Sequence, residues 1–157
     1  MIFVSLGTQD KEFKRLLINI ENLIDKDIIK DKVIAQIGST KYNSNKIELH
    51  DYLSKKEINK YMKEAKYIIC HGGVGTIFDA LKLNKKIIAV SRLKKYKEHV
   101  NDHQLEIISE FKRLGYLLDG TYNLEKCIKE ISTFKPKKYI SNNTNFVNLI
   151  DEYIKNN

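Results

Sequence analysis

The sequence predicts an α/β protein built as an open parallel sheet with helices on both faces. Three features carry that expectation. Short β-branched and aromatic runs recur along the 157 residues, and each leads into a stretch that is polar or has apolar side chains at helical spacing. Glycine stands at the end of several runs, at Gly7, Gly38 and Gly72, where a strand has to turn. The length and the 42% apolar content suit one domain, residues 1–157, with a sizeable core.

The elements follow in order. Residues 2–6 form the first strand, and Phe13, Leu16, Leu17, Ile20, Leu23 and Ile24 mark one face of a helix. The second strand is 33–37, closed by Gly38, and a polar loop at 41–46 leads to a third strand at 47–50. Ser54 and Glu57 make a capping box for a helix carrying Ile58, Tyr61, Met62 and Ala65. The fourth strand, 67–70, runs into a glycine turn and a helix over 74–83, followed by a fifth strand at 87–90. A polar loop at 91–98 precedes a helix capped by Asn101 or Asp102. A last short strand is expected at 116–118, then a helix lined by Leu124, Cys127, Ile128 and Ile131. Beyond the single proline, Pro136, an amphipathic helix is expected at about 145–155. The strand–helix alternation is that of a Rossmann-like sheet, whose ligands bind at the carboxyl ends of the strands.

Composition narrows the function. The net charge is +8, but the lysines are scattered. The nearest approach to a patch is Arg92, Lys94, Lys95 and Lys97, for which an anionic membrane face is the best specific reading. No basic stripe with stacking aromatics points to nucleic acid. The two cysteines, Cys70 and Cys127, are far apart, which argues against a disulfide framework or zinc and suggests a reducing, cytosolic setting. The apolar run at the start is cut off by Gly7, Asp10 and Lys11, so no signal peptide is expected, and no segment is long enough to span a bilayer.

Three loops converge on the carboxyl edge of such a sheet. The first, residues 5–10, carries Gly7 and Thr8; its backbone amides can hold an anion, although packing alone also explains a turn of this kind. The second is His71-Gly72-Gly73-Val74-Gly75-Thr76. Three glycines in four positions bring backbone close to a ligand, and the helix amides that follow favour phosphate. Thr76 adds a hydroxyl, Asp79 lies on the same side of the helix where a carboxylate can accept both ribose hydroxyls, and His71 ends the strand beside the expected pyrophosphate. The spacing is not GxGxxG, and Val90 is followed by Ser91-Arg92 rather than an acid, which weighs against NAD. The third loop packs Glu98, His99, Asn101, Asp102, His103 and Gln104 into seven residues, a set rich in the directional hydrogen bonds that sugars need. His99 and His103 are four apart without the H-E-x-x-H pattern, so no metal is expected.

Residues 1–10 (MIFVSLGTQD), 70–80 (CHGGVGTIFDA) and 92–104 (RLKKYKEHVNDHQ) together resemble the C-terminal domain of glycosyltransferase family 28. The resemblance runs in order over roughly residues 1–120. It is nearest to small single-domain members: PssE-like subunits of capsule and exopolysaccharide synthesis, and the soluble subunit of the dolichol-linked UDP-GlcNAc transferase. It implies half of a GT-B enzyme that binds a UDP-sugar donor without metal or other cofactor. The acceptor, a lipid-diphosphate-linked sugar, belongs to a separate membrane-anchored subunit that recruits the chain from the cytoplasm to the inner face of the membrane. By the same resemblance, Gly7, Thr8, Gly72, Gly73, Gly75 and Thr76 approach the diphosphate, and Asp79 stands for the ribose-binding acid, one methylene shorter. Asn101, Asp102, His103 and Gln104 match the region that contacts the donor sugar. Lys97 and Ser91 depart from the family's Gly and Pro, which bears on the shape of the third loop.

The reaction implied is inverting transfer of a hexose, galactose or GlcNAc, with UDP as leaving group. His71 or His103 is expected to add a proton or positive charge at the departing phosphate. His99 is a local candidate for the general base, which the partner otherwise supplies. A non-catalytic activator of a partner transferase is the rival reading. UDP-sugar epimerases share the architecture but need a second domain in the same chain.

Overall fold

A computed structural model describes residues 1–140 together with Asn148, Ile150, Asp151 and Lys155. Six parallel strands form one sheet in the order β3-β2-β1-β4-β5-β6. They are β1 (Ile2–Ser5), β2 (Val33–Gln36), β3 (Ile47–His50), β4 (Ile68–His71), β5 (Ile87–Val90) and β6 (Leu118–Asp119). The helices are α1 (Lys14–Asp25), α2 (Lys55–Glu64), α3 (Val74–Lys82), α4 (His103–Arg113) and α5 (Leu124–Glu130). A 3-10 turn, Lys94–Tyr96, interrupts the chain after β5.

Alternation within the strands builds two cores. Val4, Ile69, Ile88 and Val90 face one way and pack under α1 and α5, through Leu16, Leu17, Ile20, Leu124 and Ile128. Phe3, Ile68, Cys70, Ile87 and Ala89 face the other way, against Met62 of α2, Ile77 and Leu81 of α3, and Ile108 and Phe111 of α4. Strands buried on both faces read as near-continuous apolar runs. Each fully buried aliphatic or aromatic side chain contributes about 1.5–3 kcal/mol. The Ser54 box closes as its spacing predicts: Ser54 Oγ accepts from the Glu57 amide at 3.2 Å, and Glu57 Oε2 accepts from the Ser54 amide at 2.8 Å.

The sheet runs outward from its middle. From β1 the chain steps one way to β2 and β3; from β4 it steps the other way to β5 and β6. The direction therefore reverses between β1 and β4, which pair directly with Phe3 opposite Ile68 and Ser5 opposite Cys70.

Two expectations need correction. The last strand is Leu118–Asp119 rather than 116–118, because Tyr116 and Leu117 are drawn into the core and only the next two residues reach Ile88 and Ala89. Arg92 is no part of a surface patch: it is 1% exposed. Of the two capping candidates for α4, Asn101 makes the bond: its Oδ1 accepts from the His103 amide at 3.1 Å, while Asp102 makes no cap bond. The amphipathic segment expected at 145–155 lies mostly outside the described residues, of which Ile150 is buried in the second core. Among the described residues no helix is long and apolar enough to cross a membrane.

Candidate functional site

At the reversal between β1 and β4, α1 leaves on one face of the sheet and α3 on the other, the place on the carboxyl edge where open sheets of this kind hold ligands. His71, the last residue of β4, stands there. Its Nδ1 lies 3.3 Å from the carbonyl oxygen of Ser5, which can only accept. The proton therefore sits on Nδ1, and Nε2 keeps its lone pair. A Cβ on Gly7 would lie 2.5 Å from that Nε2, and a Cβ on Gly73 would overlap it. Both loops are thus glycine where they close on the imidazole, and Gly7 also has φ +75°. Burial pulls the His71 pKa down to about 4; Arg92 and His99 push the same way, and the Ser5 bond opposes them. With its folded-chain pKa near 4, the ring is neutral at pH 7.

The turn behind His71 launches α3 from Gly73. No side chain caps this helix, and no acid stands in its first turn. Gly72 is pinned, its amide donating to Gln104 Oε1 at 3.2 Å. The amides of Gly73, Val74, Gly75 and Thr76 have no partner among the described residues. Their positive end of the helix is left open to an anion. Gly75 is the informative position: a Cβ there would meet nothing within 4 Å. Packing accounts for glycine at 7, 72 and 73, but nothing inside the chain requires it at 75. Thr76 is half-buried, and Thr8 and Asp79 are exposed. Asp79 sits one turn beyond Thr76 on the same side of α3.

The third loop is held from beneath by an internal network. Glu98, 4% exposed, receives Arg15 Nε at 2.9 Å and Arg15 Nη2 at 2.8 Å, and accepts from the Leu93 amide at 2.9 Å. Arg92 donates to the carbonyls of Leu6 at 2.7 Å, Lys11 at 2.7 Å and Glu98 at 3.2 Å, with its guanidinium 4.9 Å above the Phe13 ring. Burial lowers the Arg92 pKa to about 10 against the opposing pull of Glu98 and Asp10, so it remains charged. One cation therefore fixes the first loop to the third.

The candidate sugar-binding residues divide accordingly. Gln104 is 8% exposed, and its Oε1 is occupied by the amides of Gly72 and Arg92. Glu98 is committed to Arg15 and supplies no free carboxylate. Asp102 Oδ1 accepts from the Lys94 amide at 2.8 Å. His99 Nδ1 lies 3.3 Å from the Asn101 amide, and burial, then Arg92, lowers its pKa. His103 turns toward Glu106, 3.4 Å away on its own helix. The structure brings Gly7, His71, Gly72, Gly73 and Gln104 into one cluster; His103 and Asp79 stand outside it on helix surfaces. Among the described residues no three His, Cys, Asp or Glu side chains group as a metal set.

Sequence reasoning missed several residues. Arg15 carried no signal and Arg92 read only as part of a basic patch and a matching segment, because their partners lie 76 to 86 positions away for the bonds to Ser91, Glu98 and Leu6. Gly38 did carry one, a glycine ending a strand. A Cβ on it would lie 2.6 Å from the carbonyl oxygen of Gly7, so the second strand's loop packs on the first. Next to it opens a cavity of about 670 Å³ lined by Lys14, Ser39, Thr40, Lys41 and Asp51. Ser39 Oγ lies 2.9 Å from the hydroxyl of the exposed Tyr52.

Residues 1–155 match the family model described as glycosyltransferase family 28 C-terminal domain. A relative named UDP-N-acetylglucosamine transferase subunit ALG13, from Candida albicans, is 34% identical over 130 residues, 82% of this chain and 39% of that protein. One of the same name from Debaryomyces hansenii is 30% identical over 129 residues, 78% of this chain and 57% of its own length. The chain thus spans well under two-thirds of either relative. An NMR structure of ALG13 superposes with TM-score 0.60 at 20% identity, over 98% of this chain and 96% of that one. The glycosyltransferase SnogD from Streptomyces nogalater does so with TM-score 0.56 at 13% identity, over 83% of this chain and 34% of that one. These last two likenesses concern the fold.

Proposed function

The chain belongs to the glycosyltransferase family 28 C-terminal domain family, and from that premise we propose that it is the donor-binding subunit of a two-component inverting glycosyltransferase. The donor is a UDP-hexose, and the names of the two fungal relatives favour UDP-N-acetylglucosamine over UDP-galactose. The acceptor is a lipid-diphosphate-linked sugar presented by a membrane-anchored partner subunit. A setting in capsule or exopolysaccharide assembly rests on the sequence resemblance alone.

One observation carries the reading: the open amides from Gly73 to Thr76 at the sheet's reversal point, with free space over Gly75. In the proposed complex these amides, with the Gly7–Thr8 turn, receive the diphosphate, and Asp79 accepts the ribose hydroxyls. The acceptor hydroxyl attacks the anomeric carbon, the bond from that carbon to the β-phosphate oxygen breaks, and UDP departs with the electron pair. Negative charge grows on the β-phosphate, where preorganised amides are worth most. His71 enters this step neutral. A bound diphosphate raises its pKa, so the ring meets the departing phosphate as a proton donor only after ligand binding recharges it. The acceptor's proton goes to a base supplied by the partner subunit; His99, whose Nδ1 already accepts from the Asn101 amide, is the local alternative. Asn101 and Asp102 each spend one side-chain oxygen on a backbone amide, so they meet the hexose through their remaining polar atoms, and Gln104 positions the Gly72 turn.

Gly75→Ala tests the central contact. Alanine fits the open space and suits the helix, so the fold is expected to hold or gain up to about 1 kcal/mol. UDP affinity, read by calorimetry, is expected to fall at least tenfold, about 1.4 kcal/mol. Unchanged affinity would remove the turn from the diphosphate site. No UDP binding by the wild-type chain, with partner binding intact, would leave the activator reading in its place.

A further inference from the structure

We propose that the corner formed by the β5–α4 loop, the β6–α5 loop and the start of α1 is a docking surface for an anionic lipid bilayer. Among the described residues six large apolar side chains stand exposed: Ile18, Tyr52, Tyr96, Val100, Tyr122 and Ile140. Four of them belong to this corner. Tyr96 and Val100 lie in the β5–α4 loop, Tyr122 follows β6, and Ile18 is on α1. Tyr96, Tyr122 and Ile18 form one surface: the Lys95 ammonium sits 4.9 Å from the Tyr96 ring and 5.8 Å from the Tyr122 ring. Ile18 and Tyr96 line a shared cavity of about 430 Å³.

The charge around these side chains is positive in balance. Lys94, Lys95 and Lys97 are exposed and make no ion pair among the described residues. The neighbouring acids are mostly spent: Glu98 on Arg15 at 2.8 Å, and Glu12 on Lys14 at 3.2 Å. Asp102, which accepts from the Lys94 amide, and Asp10 on the first loop keep their charge, against three lysines. Lysine is depleted from the buried parts of protein interfaces. It is enriched, with tyrosine, where an amphipathic surface meets anionic headgroups, each lysine adding about fivefold to binding. That complementarity selects a lipid face over a protein one. The corner shares the carboxyl edge of the sheet with the glycine turn. Seated on a bilayer, it holds that edge at headgroup level, where a lipid-linked acceptor lies; this orientation rests on the proposed function, the docking does not.

The full chain is sedimented with phosphatidylcholine vesicles prepared with and without phosphatidylglycerol, while UDP affinity is measured in parallel. Binding is expected only with phosphatidylglycerol and is expected to weaken as salt rises. K94E/K95E should weaken it at least twentyfold and flatten the salt dependence, and Y122S should weaken it at low and high salt alike, with UDP affinity unchanged in both. Equal partitioning of the wild type to both vesicles, or to neither, overturns the proposal, as does wild-type binding by the variants. Loss of a protein partner in K94E/K95E with vesicle binding unchanged overturns it too, assigning the corner to a protein interface. Vesicle binding that behaves as expected in a chain that binds no UDP sinks the transferase reading alone.

Discussion

His71 is the residue in which packing and chemistry are hardest to separate. It fills the space two glycines leave, and it is the nearest titratable group to the open amides of α3. Its pKa near 4 in the folded chain lies below the ordinary 6.5, so the unfolded chain binds the extra proton between those values. Stability is complete above about pH 6.5 and falls as pH drops toward 4, by up to about 3 kcal/mol. Denaturant unfolding at pH 7 and pH 4.5 should show that slope in the wild type and a reduced one in His71→Asn. The ligand reverses the sign: because a diphosphate raises the same pKa, the His71-dependent part of UDP affinity should increase as pH falls. Asp79 is the simpler case. Exposed and without a partner among the described residues, it contributes little to the fold, so Asp79→Ala should leave the melting temperature alone and cost UDP affinity about tenfold or more. Residues whose meaning is local, such as the glycines and the capping Ser54, were legible in the sequence. Gln104 and Glu98 were legible only as polar side chains near a helix start. That they turn inward, onto Gly72 and Arg15, depends on partners 32 and 83 positions away.

At the level of elements, hydrophobic period fixed strand and helix positions to within a residue or two, since parallel strands buried on both faces leave little freedom of register. The exception, β6, is an edge strand only two residues long, where competition between core packing and pairing decides the boundary. Loop conformation was the least legible feature. The β5–α4 loop reads as a polar stretch but is held by a buried ion pair, Arg15 with Glu98, side chains 20% and 5% exposed. Removing one partner strands the other and the Leu93 amide. Glu98→Ala should therefore cost about 2–4 kcal/mol in chemical denaturation, and it should loosen the third loop enough to expose its amides to hydrogen exchange. Glu98→Gln, which keeps an acceptor for Leu93, should cost less.

For the molecule as a whole, the sheet order places the Gly7 turn and the glycine turn behind β4 side by side at the point where the chain reverses direction. In the proposed two-subunit enzyme the acceptor site belongs to the partner. The purified chain should accordingly bind UDP yet transfer sugar only when its partner subunit is added, and robust turnover by the chain alone would refute the two-subunit proposal. The most direct measurement of the central claim is an amide-resolved NMR titration of the chain with UDP. The proposal requires saturable shifts concentrated at Gly7, Thr8 and Gly73–Thr76 and fading along α3 past Asp79. Shifts confined to the cavity beside Ser39 and Lys41, or none that saturate, would contradict it.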